Sequence, residues 1–107
     1  MAMEKTVIGL GLLGLGTVGT GVVQVLRDNA REIDRKVGAP IAIKKALVHN
    51  AAKERPGLED LELVTDIDAI VNDPEIDIVV ELMGGIAPAK EYMLRAMAAG
   101  KSVVTAN

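Results

Sequence analysis

The stretch "VIGLGLLGLGTVGTGVV", Val7 to Val23, holds six glycines and no charge. The pattern G-x-G-x-x-G fits it twice, as Gly9-Gly11-Gly14 and as Gly14-Gly16-Gly19. Such a pattern is informative only between a strand and a helix. In the first frame the strand is Thr6 to Ile8, too short to cross a sheet. The helix after it would hold Gly14, Gly16, Gly19 and Gly21 in its first turns, at about 1 kcal/mol each relative to Ala. In the second frame a full apolar strand, Lys5 to Leu13, comes before Gly14. An amphipathic helix, Thr17 to about Ala30, follows Gly16, with Val18, Val22, Leu26 and Ala30 at helical spacing. The second frame is therefore the one that reads as a turn.

Residue roles follow from that frame. Gly14 allows the tight turn, and with Leu15 starts the loop. Gly16 has no Cβ, so a pyrophosphate can approach the backbone, and Gly19 lets the helix sit close to the strand. The N–H groups of Thr17 and Val18 lie at the helix N-terminus, where the peptide dipoles favour an anion. Gly9 and Gly11 fall inside the strand and are read as making room for a neighbouring helix. Gly21 is also read as a packing glycine. A targeting reading of the same run is disfavoured: Glu4 offsets Lys5, and the glycines dilute the apolar run.

Beyond the first helix, Ile33 and Val37 continue the apolar spacing, so the helix runs on or restarts, and Gly38 and Pro40 end it. Ile41 to Val48 reads as a second strand, "HNAAKERPGLED" as a polar loop with a Pro-Gly turn, and Leu61 to Val64 as a short edge strand. Thr65 with Asp68 three residues on has the spacing of a helix cap, opening a short helix to about Val71. Asp77 to Leu82, "DIVVEL", is another buried strand, and Met83-Gly84-Gly85 a turn. Pro88 to Ala99 is a helix with Pro at its first position and Gly100 past its end. Its packing stripe is Ala89, Met93, Ala96 and Met97. Ser102 to Thr105 is the last strand. No repeat, low-complexity tract or linker interrupts residues 1–107, which read as one domain.

Strand–helix alternation with buried strands implies a parallel sheet covered on both faces. The expected fold is a Rossmann-type, doubly wound, three-layer α/β domain. The first strand lies between the Ile41 and Asp77 strands, and the Ser102 strand lies beyond the latter. Composition agrees. Half the residues are hydrophobic, and the aliphatics carry the core, with one Tyr and no Phe or Trp. The lack of aromatics argues against a base-stacking platform, and the net charge of −3 against a phosphate-backbone binder. No cysteine and one histidine leave no metal site in view. The expectation is a cytoplasmic protein with neither a nucleic-acid nor a membrane partner.

In such a sheet ligands bind outside the carboxyl ends of the strands. The glycine turn, Met83-Gly84-Gly85 and Thr105-Ala106-Asn107 meet there. The acid that usually binds the ribose 2′-hydroxyl, about 20 residues past the turn, has no counterpart at the end "LVHN". Lys53 and Arg55 follow instead. They either suit a 2′-phosphate, so that NADP is accepted alongside NAD, or are solvated loop charges. His49 is a cofactor contact or a surface residue. Glu81, in an apolar strand, is read as a structural acceptor rather than a site residue.

"GLLGLGTVGTGVV", "VVELMGG" and "GKSVVTAN", in that order, resemble the N-terminal nucleotide-binding domain of homoserine dehydrogenase, as does "IAIKKALVHNAAKERPG". The resemblance spans nearly the whole chain. It implies reversible NADH- or NADPH-dependent reduction of L-aspartate 4-semialdehyde to L-homoserine, serving threonine, methionine and isoleucine synthesis. It also implies an amino-acid substrate and a homo-oligomeric parent. By resemblance, Gly14 to Gly19 hold the pyrophosphate, and Met83 to Gly85 with Thr105 to Asn107 line the nicotinamide end. His49 stands where many members have an Arg, which counts against the NADP reading. The family's next Lys, its substrate and dimerisation domain and its catalytic Lys and acids are not in these residues. No catalytic residue is assigned, and the chain alone is expected to be inactive. Two alternatives share the fold: a non-catalytic dinucleotide-sensing module, and another aldehyde or imine reductase.

Overall fold

The computed structural model describes residues 7–83 and 88–105, with only the backbone at Thr17. Its strands are β1 (Ile8–Leu13), β2 (Ile41–Leu47), β3 (Leu63–Val64), β4 (Ile78–Glu81) and β5 (Ser102–Thr105). Its helices are α1 (Thr17–Asp28), α2 (Ala30–Val37), α3 (Asp68–Val71) and α4 (Ala89–Ala98). The strands form one parallel sheet in the order β3-β2-β1-β4-β5. This is the doubly wound arrangement expected from the sequence, with β1 at the centre.

Two apolar clusters sandwich the sheet. On one face Leu12 and Ala46 pack with Leu15 and with Val23 of α1. On the other, Leu13, Leu47 and Val79 pack with Ile70 of α3 and Ala96 of α4. Period-2 alternation along β1 sends Leu12 to one layer and Leu13 to the other.

The glycines of β1 serve that packing. A Cβ at Gly9 would lie 1.9 Å from the Glu75 carbonyl oxygen, and one at Gly11 3.0 Å from Ile70 Cγ2 and 3.2 Å from Ile76 Cδ1. The close approach is therefore real. At Gly9 it comes from the turn before β4, whereas the sequence suggested a helix. Gly21 corrects the sequence reading. It is exposed and a Cβ there would meet nothing within 4 Å, so it does no packing.

The helices differ from expectation in phase. The inward seam of α1 is Gly19 and Val23, buried, with Val22 and Leu26 half-buried, while Val18 is 58% exposed and Ala30 is also exposed. Helix α1 stops at Asn29, whose side-chain amide donates to the Val25 carbonyl at 2.9 Å. The chain restarts as α2, which has no buried residue and ends at Gly38, φ 87°. In α4, Pro88 is the cap and Ala89 opens the helix. Tyr92 packs against the core where Met97 was expected, and Met97 is 50% exposed. Thr65 does not cap α3. The Asp66 carboxylate accepts the Asp68 N–H there instead, at 2.9 Å.

Strand β2 carries a bulge that the sequence did not reveal. Leu10 is level with Ile43, but Gly11 is level with Lys45. The extra residue lets Lys44 and Lys45 reach the same side, pairing with Glu75 at 3.6 Å and Asp73 at 3.1 Å. Most of β2 is consequently only half-buried. No helix among the described residues is long and apolar enough to cross a membrane.

Candidate functional site

Strand β1 ends at Leu13, and Gly14 turns the chain with φ 101°, a value L side chains rarely adopt. The turn is anchored on both sides. Gly14 N–H donates to the Leu47 carbonyl at 3.0 Å, and Leu82 N–H donates to the Leu13 carbonyl at 2.9 Å. Helix α1 then begins at Thr17 behind Gly16. Among the described residues no side chain caps it and no acid stands in its first turn, so none of them offers its leading N–H groups a partner of that kind.

Gly16 and Gly19 now separate by cause. A Cβ at Gly19 would lie 2.9 Å from the Gly14 carbonyl oxygen, so only glycine lets the helix start so near the turn. At Gly16 a Cβ would meet nothing within 4 Å, and φ is −86°, ordinary for any residue. Neither packing nor backbone conformation demands glycine there. The space it leaves opens outward.

Above this turn, at the carboxyl ends of β1, β2 and β4, lies a cavity of about 510 Å³. Gly14, Leu15 and Gly16 form one wall. His49, Lys53 and Arg55 come from the loop after β2, and Met83 from the end of β4. Among the described residues no Asp or Glu lines it, although the chain carries net charge −3. The Arg55 guanidinium is tied to its own loop, donating to the carbonyls of Asn50 at 3.0 Å and Lys53 at 3.1 Å. It is half-buried rather than freely solvated.

Of the residues singled out in the sequence, seven line the cavity: Gly14, Leu15, Gly16, His49, Lys53, Arg55 and Met83. Gly19 sits behind the wall, and Val18 faces outward from α1. The side chain of Thr17, and Gly84, Gly85, Ala106 and Asn107, lie outside what the structure describes. Thr105 is not part of the lining. Its hydroxyl donates to Glu81 Oε1 at 2.6 Å. Glu81 is fully buried, and its Oε2 accepts the Met83 N–H at 2.5 Å. Its reading as a hydrogen-bond acceptor holds.

Sequence reasoning missed Leu47, Val48, Asn50, Thr65, Leu82, Pro88 and Tyr92, which complete the lining. Most stand at strand ends beside chosen residues, so the rule for strand carboxyl ends reaches them. Tyr92 had no such signal, because it sits on a helix whose phase only packing sets.

A central parallel sheet, a glycine turn opening onto a helix N-terminus, and an acid-free cavity over it define a nucleotide-binding α/β domain of the Rossmann class. Comparison with known proteins narrows the class. Residues 14–107 match the family model of the homoserine dehydrogenase NAD binding domain. The homoserine dehydrogenase of Bacillus subtilis is 43% identical over 101 residues, covering 94% of this chain and 23% of that protein. Crystal structures of homoserine dehydrogenases agree in fold. The Thiobacillus denitrificans enzyme superposes with TM-score 0.87 at 52% identity, covering 94% of this chain and 23% of that one. The Staphylococcus aureus enzyme at pH 8.5 superposes with TM-score 0.89 at 39% identity, covering 97% and 26%. The chain belongs to the homoserine dehydrogenase family, as its NAD-binding domain. It spans about a quarter of the length of these relatives.

Proposed function

We propose that this chain holds the nicotinamide dinucleotide for reversible interconversion of L-aspartate 4-semialdehyde and L-homoserine. That reaction serves threonine, methionine and isoleucine synthesis in the cytoplasm, in a homo-oligomeric parent enzyme. The observation that carries the reading is Gly16. It is a glycine that neither packing nor backbone conformation requires, at an uncapped helix N-terminus beside an acid-free cavity. A dinucleotide fits those residues: the first-turn N–H groups suit its pyrophosphate, and the missing Cβ lets it approach. The chemistry a bound nicotinamide supplies is the giving or taking of a hydride.

The chain's own residues bind and orient. Gly14 to Gly19 hold the pyrophosphate through backbone N–H groups. Met83 to Gly85 and Thr105 to Asn107 border the nicotinamide end. Lys53 and Arg55, with His49 at the cavity mouth, accept a 2′-phosphate, so NADP is bound alongside NAD. The ties from Arg55 to Asn50 and Lys53 support this, because a loop already held in shape has less to order on binding. Hydride transfer also needs a positioned carbonyl and a proton donor, which we assign to the remainder of the parent enzyme.

Calorimetric titration of this chain with NADPH and NADH tests the reading. Both are expected to bind, NADPH at least as tightly, with no turnover of homoserine by this chain alone. Failure of both dinucleotides to bind at millimolar concentration would overturn it. A clear preference for NADH would remove the 2′-phosphate assignment only.

A further inference from the structure

Glu81 is the one buried charged side chain of the described core. It stands at the last position of β4, level with Leu13 on one side and Thr105 on the other. Its two oxygens face different segments. Oε2 accepts the Met83 N–H at 2.5 Å, and Oε1 accepts the Thr105 hydroxyl at 2.6 Å. Met83 in turn closes on the glycine turn, its Cγ lying 3.2 Å from where a Cβ on Gly14 would be. One carboxylate thus joins the cavity wall after β4 to the carboxyl end of β5, directly beside the glycine turn.

Apolar packing alone does not call for a carboxyl at this position. Its strand neighbour on the same face, Val79, is fully buried in the apolar cluster, and an apolar residue in place of Glu81 would extend that cluster. A buried carboxyl is costly unless hydrogen-bonded, and these two bonds tie the cavity-lining segment after β4 to the last residue of β5, at the carboxyl edge of the sheet where the cavity opens. We infer that Glu81 is a positioning residue for the dinucleotide. It pins the Met83 segment and the end of β5 in the spacing that binding needs. This rests on the proposed cofactor role of the cavity.

The substitution Glu81→Leu keeps volume and burial but removes both acceptors. Glu81→Gln keeps the shape, accepting from Met83 N–H through its oxygen and donating to the Thr105 hydroxyl through its amide. Three measurements on this chain separate the possibilities: calorimetric Kd for NADPH, thermal midpoint, and hydrogen exchange at the Met83 amide. Glu81→Leu is expected to weaken NADPH binding about tenfold, the loss of a buried hydrogen bond at each segment. It should speed Met83 exchange while the midpoint stays within a few degrees. Glu81→Gln is expected to restore both affinity and protection. Should Glu81→Leu not fold, Thr105→Val removes the exposed half of the pin alone and is expected to weaken binding several-fold. Unchanged affinity in the folded variants, with NADPH still bound by the parent chain, overturns the inference. Absence of binding by the parent chain overturns the cofactor reading instead.

Discussion

Gly9 and Gly16 are glycines for opposite reasons, and substitution separates them. A Cβ at Gly9 runs into a backbone carbonyl at 1.9 Å, which no side-chain movement relieves. Gly9→Ala is therefore expected to destabilise the fold by about 2–4 kcal/mol, the range of strong core disruptions, measured by denaturant unfolding. At Gly16 no described atom lies within 4 Å of where a Cβ would be. Gly16→Ala should cost at most about 1 kcal/mol of stability, yet reduce dinucleotide affinity at least tenfold by calorimetry. Equal affinity in Gly16→Ala would mean that no ligand approaches the turn there. Gly21 makes a third case. Exposed in mid-helix with open space around it, Gly21→Ala should stabilise by about 0.5–1 kcal/mol. In sequence these three glycines look alike within one run. What distinguishes them is which atoms from elsewhere arrive beside each.

At the scale of elements, the end of the sheet away from the cavity is tied by a polar knot. Lys45 Nζ meets Asp73 Oδ2 and the Ala69 carbonyl, both at 3.1 Å, and Lys101 Nζ donates to the carbonyls of Asp73 and Ile76, both at 2.8 Å. This joins β2, the turn before β4, and the start of β5. The Glu75 N–H on Asp73 Oδ1 holds the Asp73 carboxyl below the usual carboxylate value, 3.8, against burial, which pushes the other way; Lys45 and then Lys101 add to the lowering. A group with a lowered folded-state pKa stabilises fully above its unfolded value, and that contribution fades as pH falls through the folded value. Asp73→Asn is expected to lose about 1–2 kcal/mol near pH 7. The gap to the parent should close below about pH 4 in unfolding curves taken across pH. A gap independent of pH would remove the electrostatic account. Lys45, with Lys44 beside it, lies within the strand read from Ile41 to Val48. The bulge at Lys44–Lys45 turns both to the face where Glu75 and Asp73 stand. A bulge leaves no mark in the apolar pattern, because it is defined by register against β1.

At the scale of the whole molecule, β5 is an edge, and Val104 on it is 55% exposed. Leu94 and Met97 of α4, the helix packed against that strand, are 54% and 50% exposed. An open apolar edge invites pairing with another chain. This chain by itself is expected to show concentration-dependent association in sedimentation equilibrium. Val104→Lys should reduce it without altering dinucleotide binding. Monomeric behaviour of the parent chain across the micromolar range would refute this.

The order of strands, the frame of the glycine turn and the cavity wall at Gly14, Leu15 and Gly16 were determined by sequence alone. Each rests on local information: a strand's apolar run, a helix's start, and the handedness of a parallel crossover. Tertiary structure decided the rest. The phase of α1 and α4 depends on which side chains the sheet accepts, so Val18 and Met97 turned outward and Tyr92 inward. The pairing of Glu81 with Met83 and Thr105 depends on β4 and β5 lying side by side, 24 residues apart in the case of Thr105. A glycine's purpose, a lysine's partner and a carboxylate's bond to the next strand are set by neighbours distant in the chain, and local periodicity carries no record of them.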